Sequence, residues 1–147
     1  MKTIFDETVR LDIIERINSL RADSKACWGK MDVAQMMKHC AMSDEAFLGK
    51  KTYKRIFIGR LLGGAIIKSI LKDSQPLRQN QPTVPELRIT EDANFITEKS
   101  WWISLVHEYG NFSNDNFIHP FFGKMTKKQV GELVYKHLDH HLRQFNA

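Results

Sequence analysis

The stretch that decides the fold is TKKQVGELVYKHLDHHLRQF, residues 126–145. Thr126 can cap a helix, Gln129 stands at the third helical position, and Met125 can staple to Val130. Together they form a helix-start signal. Apolar residues then recur at helical spacing. At about 100° per residue, with His137 set at about 0°, Val130 falls at about 20°, His141 at about 40°, Val134 at about 60° and Leu133 at about −40°. His137 and His141 therefore stand in the middle of the stripe that faces a core. His140, at about −60°, stands at its edge. Two imidazoles one turn apart on one face have β-carbons roughly 5–6 Å apart, a spacing with which two ligands can hold one divalent metal. Left unpaired in a core, the two rings would cost free energy. A metal satisfies both, and so would bonds to side chains or water. A metal also needs a third ligand from a facing helix.

The start signal occurs a second time. Asp32 can cap, Gln35 is the third helical residue, and Met31 and Met36 can form the staple. The helix they open runs through VAQMMKHCAMSDEAFL to about Leu48, and Gly49 stands where a terminating glycine belongs. His39 lies in the middle of it, at the rim of the apolar face, a rim shared with Asp32, Gln35 and Ser43. It is the best candidate for the third ligand. Cys40 points about 100° away on the helix, so it reads as packing rather than as a ligand of the same ion.

Two further helices complete the pattern. One spans about Glu7 to Arg21, with Val9, Ile13, Ile17 and Leu20 at helical spacing. The other spans about Glu91 to Tyr109, with Phe95, Trp102, Leu105 and Val106 on one face. Residues Gly110 to Gly123, with Asn-rich turns and the segment HPFFG, read as a loop that His119 fixes before the last helix. No alternating strand pattern of useful length is visible. The class is all-α, a four-helix bundle with a long crossover between the second and third helices. Within that crossover, Tyr53 to Lys72 is apolar around its whole helical circumference, so it is buried or meets a partner or membrane surface. Gly63-Gly64 either breaks it or permits close packing. Pro76, Pro82 and Pro85 mark an extended connection from Asp73 to Ile89.

Composition agrees with one folded domain, residues 1–147: 42% hydrophobic, 27% charged, with 8 Gly and 4 Pro. Two cysteines, Cys27 and Cys40, are too few for a disulfide framework. Asp6, Glu7, Arg10 and Asp12 interrupt any apolar leader after Lys2, which points to the cytoplasm. The segment Ile56 to Leu71 carries Arg60 and Lys68 and is too short for a spanning helix. The net charge of +5 comes from dispersed residues, with no run of Lys or Arg longer than two, so no nucleic-acid partner is expected. No GxGxxG, P-loop, CxxC or GxSxG motif occurs. The carboxylates of DEAF (Asp44, Glu45) and TED (Glu91, Asp92) read as helix surface, and His107 reads as a surface residue.

WGKMDVAQMMKHC (28–40), PTVPELR (82–88), HPFFGKMT (119–126) and YKHLDHHLRQF (135–145) resemble a bacterial family of unknown function within the DinB/YfiT-like superfamily of metalloenzymes. The resemblance spans most of the chain. It implies a four-helix bundle with the long crossover, and a metal held by His39, His137 and His141. It implies nickel or zinc, with water in the open position. Relatives include thiol-dependent transferases and isomerases that use bacillithiol or mycothiol, so a low-molecular-weight thiol is an expected co-substrate. The apolar segment Arg55 to Leu71 has no role in the superfamily pattern and is expected to line the pocket or form a homodimer contact.

Two functions follow as expectations. The first is an enzyme for a small-molecule substrate, in which a three-histidine site with an open position lowers the pKa of a bound water or thiol. His140 or Asp139 would orient a ligand or move a proton. The second is a non-catalytic bundle that binds an apolar ligand or a protein partner through Tyr53 to Lys72, with structural histidines.

Overall fold

Capping chemistry sets the two helices that carry the histidines. In the computed structural model, which describes residues 1–114 and 117–147, α2 runs Val33–Phe47 behind a complete Asp32/Gln35 capping box. The last helix, α5, runs Lys127–Gln144 behind the matching Thr126/Gln129 box. In both, the cap side chain accepts from the third helical N–H while the glutamine side chain accepts from the cap's own N–H. Gly49 ends α2 with φ +80°, a conformation in which a Cβ would be strained.

The remaining helices are α1 (Glu7–Ser19), α3 (Phe57–Ile70) and α4 (Phe95–Glu108). The fold is all-α. Helices α1 and α2 each pack against both α4 and α5, which makes a four-helix bundle. Its core is continuous, from Ile13 and Ile17 of α1 through Met36, Met37 and Cys40 of α2 and Trp102 and Val106 of α4 to Val134, Leu138 and Leu142 of α5. The connection from α2 to α4 is the long crossover. It contains α3 and a short 3-10 turn at Pro85–Leu87.

Three details differ from the sequence expectation. Helix α4 begins four residues later than Glu91, because the Asn94 side chain accepts from the Thr97 N–H at 3.0 Å and so sets the cap. Glu91 faces α2 instead, with its carboxylate on Lys38 at 2.9 Å and its carbonyl on the Gln35 amide at 3.1 Å. The segment before α5 is not all loop. Ile118–His119 (β1) pairs antiparallel with Gly123–Lys124 (β2), a hairpin too short to show an alternating pattern. Residues 115 and 116, within the expected Asn-rich turns, lie outside the described residues.

The apolar segment in the crossover forms one unbroken helix, α3. Its inward face is Gly59, Gly63 and Ile67. A Cβ on Gly59 or Gly63 would stand 2.3 Å from the Phe121 carbonyl oxygen, so only glycine lets the two backbones approach this closely. Close packing, rather than a break, is the outcome at Gly63. The Ile56 N–H donates to the Pro120 carbonyl at 3.0 Å. At the other end, the Lys136 ammonium of α5 donates to the Ile70 carbonyl at 2.6 Å and the Gln75 carbonyl at 2.9 Å. Lysine at a helix C-terminus satisfies carbonyls that have no intrahelical donor. Among the described residues, no helix is long and apolar enough to cross a membrane.

Candidate metal centre

Helices α2 and α5 are neighbours in the bundle, and each sends its histidines to their shared face. One nitrogen from each of His39, His137 and His141 lies within 4.8 Å of the others. The ring centroids of the three stand 4.7 to 5.2 Å apart, tilted or edge to face. His39 and His141 are buried and His137 is partly exposed.

Hydrogen bonds decide which nitrogens are bare. His39 Nδ1 is 2.8 Å from the Leu87 carbonyl oxygen. A carbonyl only accepts, so this nitrogen carries the proton and Nε2 is left as the lone pair. His141 Nδ1 lies 2.9 Å from Gln144 Oε1. The amide orientation is fixed in turn, because Gln144 Nε2 donates to the Trp28 carbonyl at 2.7 Å. His141 Nδ1 is therefore also the donor, and its Nε2 is bare. His39 Nε2 is 3.1 Å from His137 Nε2, and His137 Nδ1 is buried without a partner.

Burial holds all three rings neutral. His39 is pushed below the ordinary histidine pKa by burial, partly opposed by the bond to Leu87. His137 is pushed well below it by burial and then by His141 and His39. His141 is pushed well below it by burial and then by His39. Metal binding needs neutral imidazole, and these three rings supply it. Two nitrogens bound to one tetrahedral zinc stand about 3.3 Å apart, close to the 3.1 Å between His39 and His137. Three neutral imidazoles with ligand nitrogens within 4.8 Å of one another, two of them with the lone pair fixed on Nε2, fit a single cation.

The sequence placed His39 at the polar rim of the apolar face of α2. The structure buries it, because the crossover turn at Leu87 folds over that rim and supplies the carbonyl. His140 stands beside the cluster, its ring 5.5 Å from Trp28 and 5.1 Å from His141. Asp139 is not brought to the histidines: its two oxygens take Arg16 Nη1 at 2.9 Å and Arg143 Nε at 2.8 Å, which ties α5 to α1. Cys40 is fully buried packing, and its thiol is pushed up by burial. His107 is exposed. His119 fixes its loop by accepting from the Phe121 and Phe122 N–H groups at 3.1 and 3.2 Å.

A further expectation was wrong, at Asp44. Asp44 of DEAF is not helix surface but fully buried, accepting from Trp102 Nε1 at 3.0 Å and the Tyr109 hydroxyl at 2.8 Å. Burial raises its pKa to about 7. It falls one turn after Cys40 and two after Met36, so the core periodicity of α2 includes it. Sequence reading also missed Gln144, three residues beyond His141, where i,i+3 side chains meet, and the carbonyls of Leu87 and Trp28.

Comparison with known proteins adds the family. A family described as "Protein of unknown function (DUF1569)" matches residues 6–147. The chain belongs to that family. No protein of curated function and no solved structure matches this DUF1569 chain.

Proposed function

We propose that this DUF1569 chain is a divalent-metal enzyme, with His39, His137 and His141 as its protein ligands and zinc or nickel as the ion. The observation that carries the reading is the pair of hydrogen bonds that protonate Nδ1 of His39 and His141 and so leave Nε2 bare beside His137. Metal-ligating histidines characteristically donate their other N–H to a carbonyl or amide partner. Three protein ligands leave a position for water or substrate, which is the catalytic rather than the structural pattern. The resemblance to the DinB/YfiT-like superfamily points the same way.

When bound, such an ion would lower the pKa of a coordinated water or thiol toward neutrality and polarise an electrophile. The chain's own residues do the rest. The Leu87 carbonyl and Gln144 fix the two rings and their tautomers, and the buried apolar core packs around them. We favour attack of a low-molecular-weight thiol on a small electrophile over hydrolysis, because the superfamily resemblance carries thiol chemistry. Free cysteines at positions 27 and 40 fit a reducing, cytoplasmic setting.

Elemental analysis of untagged wild type beside His137→Ala/His141→Ala tests the site. Near-stoichiometric zinc or nickel in the wild type, absent from the double variant, is the expected result. No metal in the wild type after zinc or nickel is added back at neutral pH would overturn it. Chelation then separates the two readings: the continuous apolar core predicts that the helices persist without the ion, whereas an ion needed for folding would take the helical signal with it.

A further inference from the structure

Helix α3 presents five large apolar side chains to solvent. Phe57 is 76% exposed, Leu61 74%, Ile58 54%, Leu62 49% and Ile66 36%. They follow one another at i, i+1, i+4, i+5 and i+9 and so form one continuous face, opposite the Gly59, Gly63 and Ile67 face that docks on the protein. The patch amounts to on the order of 500 Å² of apolar surface, at the top of what monomeric proteins show.

Charge identifies its occupant. Residues 46–72 contain Lys50, Lys51, Lys54, Arg55, Arg60, Lys68 and Lys72 and no Asp or Glu, while the whole chain has 22 basic and 17 acidic residues. The rest of the chain therefore holds 15 basic against 17 acidic residues, and the entire positive excess sits in this one segment. The sequence reading found no basic run longer than two because these residues stand singly or in pairs, separated by uncharged ones. Lys50 is spoken for by Glu108 at 2.6 Å. Lys51, Lys54, Arg60 and Lys68 are exposed, and at about 100° per residue Arg60 and Lys68 straddle the Phe57 edge of the apolar face, Arg60 about 60° outside it and Lys68 about 20° inside it. Long basic side chains at such a flank can reach upward while their stems lie on apolar surface.

We propose that α3 is an interfacial helix that seats the protein on an anionic lipid surface. An apolar face flanked by lysine and arginine and free of acids is the signature of a helix that lies in the plane of a membrane, and anionic headgroups attract such a cluster. With 14 residues the helix spans about 21 Å, short of the roughly 30 Å hydrocarbon core, so it lies on the bilayer and does not cross it. A second copy of the chain fits less well. The patch falls short of the roughly 800 Å² per partner that a stable dimer buries, and pairing it with itself would bring two acid-free basic rims together. The inference is independent of the metal centre.

Vesicle sedimentation tests it with the full chain. Vesicles of phosphatidylcholine with about three parts in ten phosphatidylglycerol should pellet at least about fivefold more protein than phosphatidylcholine alone, and raised salt should reduce the difference. Phe57→Ser/Leu61→Ser removes the two most exposed side chains, neither of them in the core, and should abolish pelleting while the helical circular dichroism is unchanged. Arg60→Glu/Lys68→Glu should abolish the preference for anionic lipid. The proposal is overturned if anionic vesicles pellet no protein, if neutral vesicles pellet as much, or if the variants bind like wild type. It is also overturned if sedimentation equilibrium shows a dimer that Phe57→Ser/Leu61→Ser dissociates, since the face would then belong to a second copy.

Discussion

Gln144 ties the Cys27–Trp28 segment to α5: its side-chain amide donates to the Trp28 carbonyl and accepts from His141, and its backbone carbonyl accepts from the Cys27 N–H at 2.7 Å. Gln144→Leu should therefore fold but free the His141 ring, and weaken zinc affinity by about 10–100-fold in a chelator competition titration. Gly29→Ala should act on the same contact from the other side. Its φ of +82° is strained for alanine, and the new Cβ would stand 2.6 Å from Gln144 Nε2. A loss of about 1–2 kcal/mol in denaturant unfolding is expected. His137 and His141 were legible in the sequence because imidazoles on an apolar stripe violate the pattern around them. The support of His39 was not, since it comes from the Leu87 backbone carbonyl, and a backbone group leaves no trace in residue identity. Asp44 was legible in principle from its place on the α2 core face, yet a charged residue between Ser43 and Glu45 reads as surface unless its partners, Trp102 and Tyr109, are known.

At the scale of elements, the two capping boxes made the starts of α2 and α5 readable to the residue. Helix α4 was misplaced at its start because Glu91, which could open a helix, is occupied by Lys38 and Gln35 across the interface. The circumferential apolarity of α3 was readable, but its meaning was not. The inward face is supplied by glycines because the Phe121–Phe122 backbone comes so near, which leaves most of the large apolar side chains to point outward. Gly63→Ala should consequently cost about 1–3 kcal/mol by overpacking, read as a lower denaturation midpoint with an unchanged slope. Lys136→Met should loosen the other end of α3 by removing the donor to the Ile70 and Gln75 carbonyls, read as faster amide exchange after residue 67.

For the molecule as a whole, acid stability divides between two opposed groups. In the metal-free protein, His39, His137 and His141 have folded pKa values below the ordinary 6.5, so the unfolded chain binds more protons as pH falls through that value and stability is lost. Asp44 runs the other way. Its folded pKa of about 7 lies above the ordinary 3.8, so the folded chain binds the extra proton and stability is gained as pH falls through about 7. The chelated Asp44→Asn variant should therefore lose Tm more steeply than chelated wild type between about pH 7.5 and 5. A parallel decline in the two proteins would show that Asp44 does not titrate there. The close seat of Gly59 and Gly63 on Phe121 has a mechanical reading as well. With no gap to absorb displacement, α3 and the hairpin move as one lever, and any load on the outer face of the helix is transmitted to the turn whose amides His119 grips. Slowed or quickened deuterium uptake at Phe121 and Phe122 is thus a remote gauge of what α3 touches.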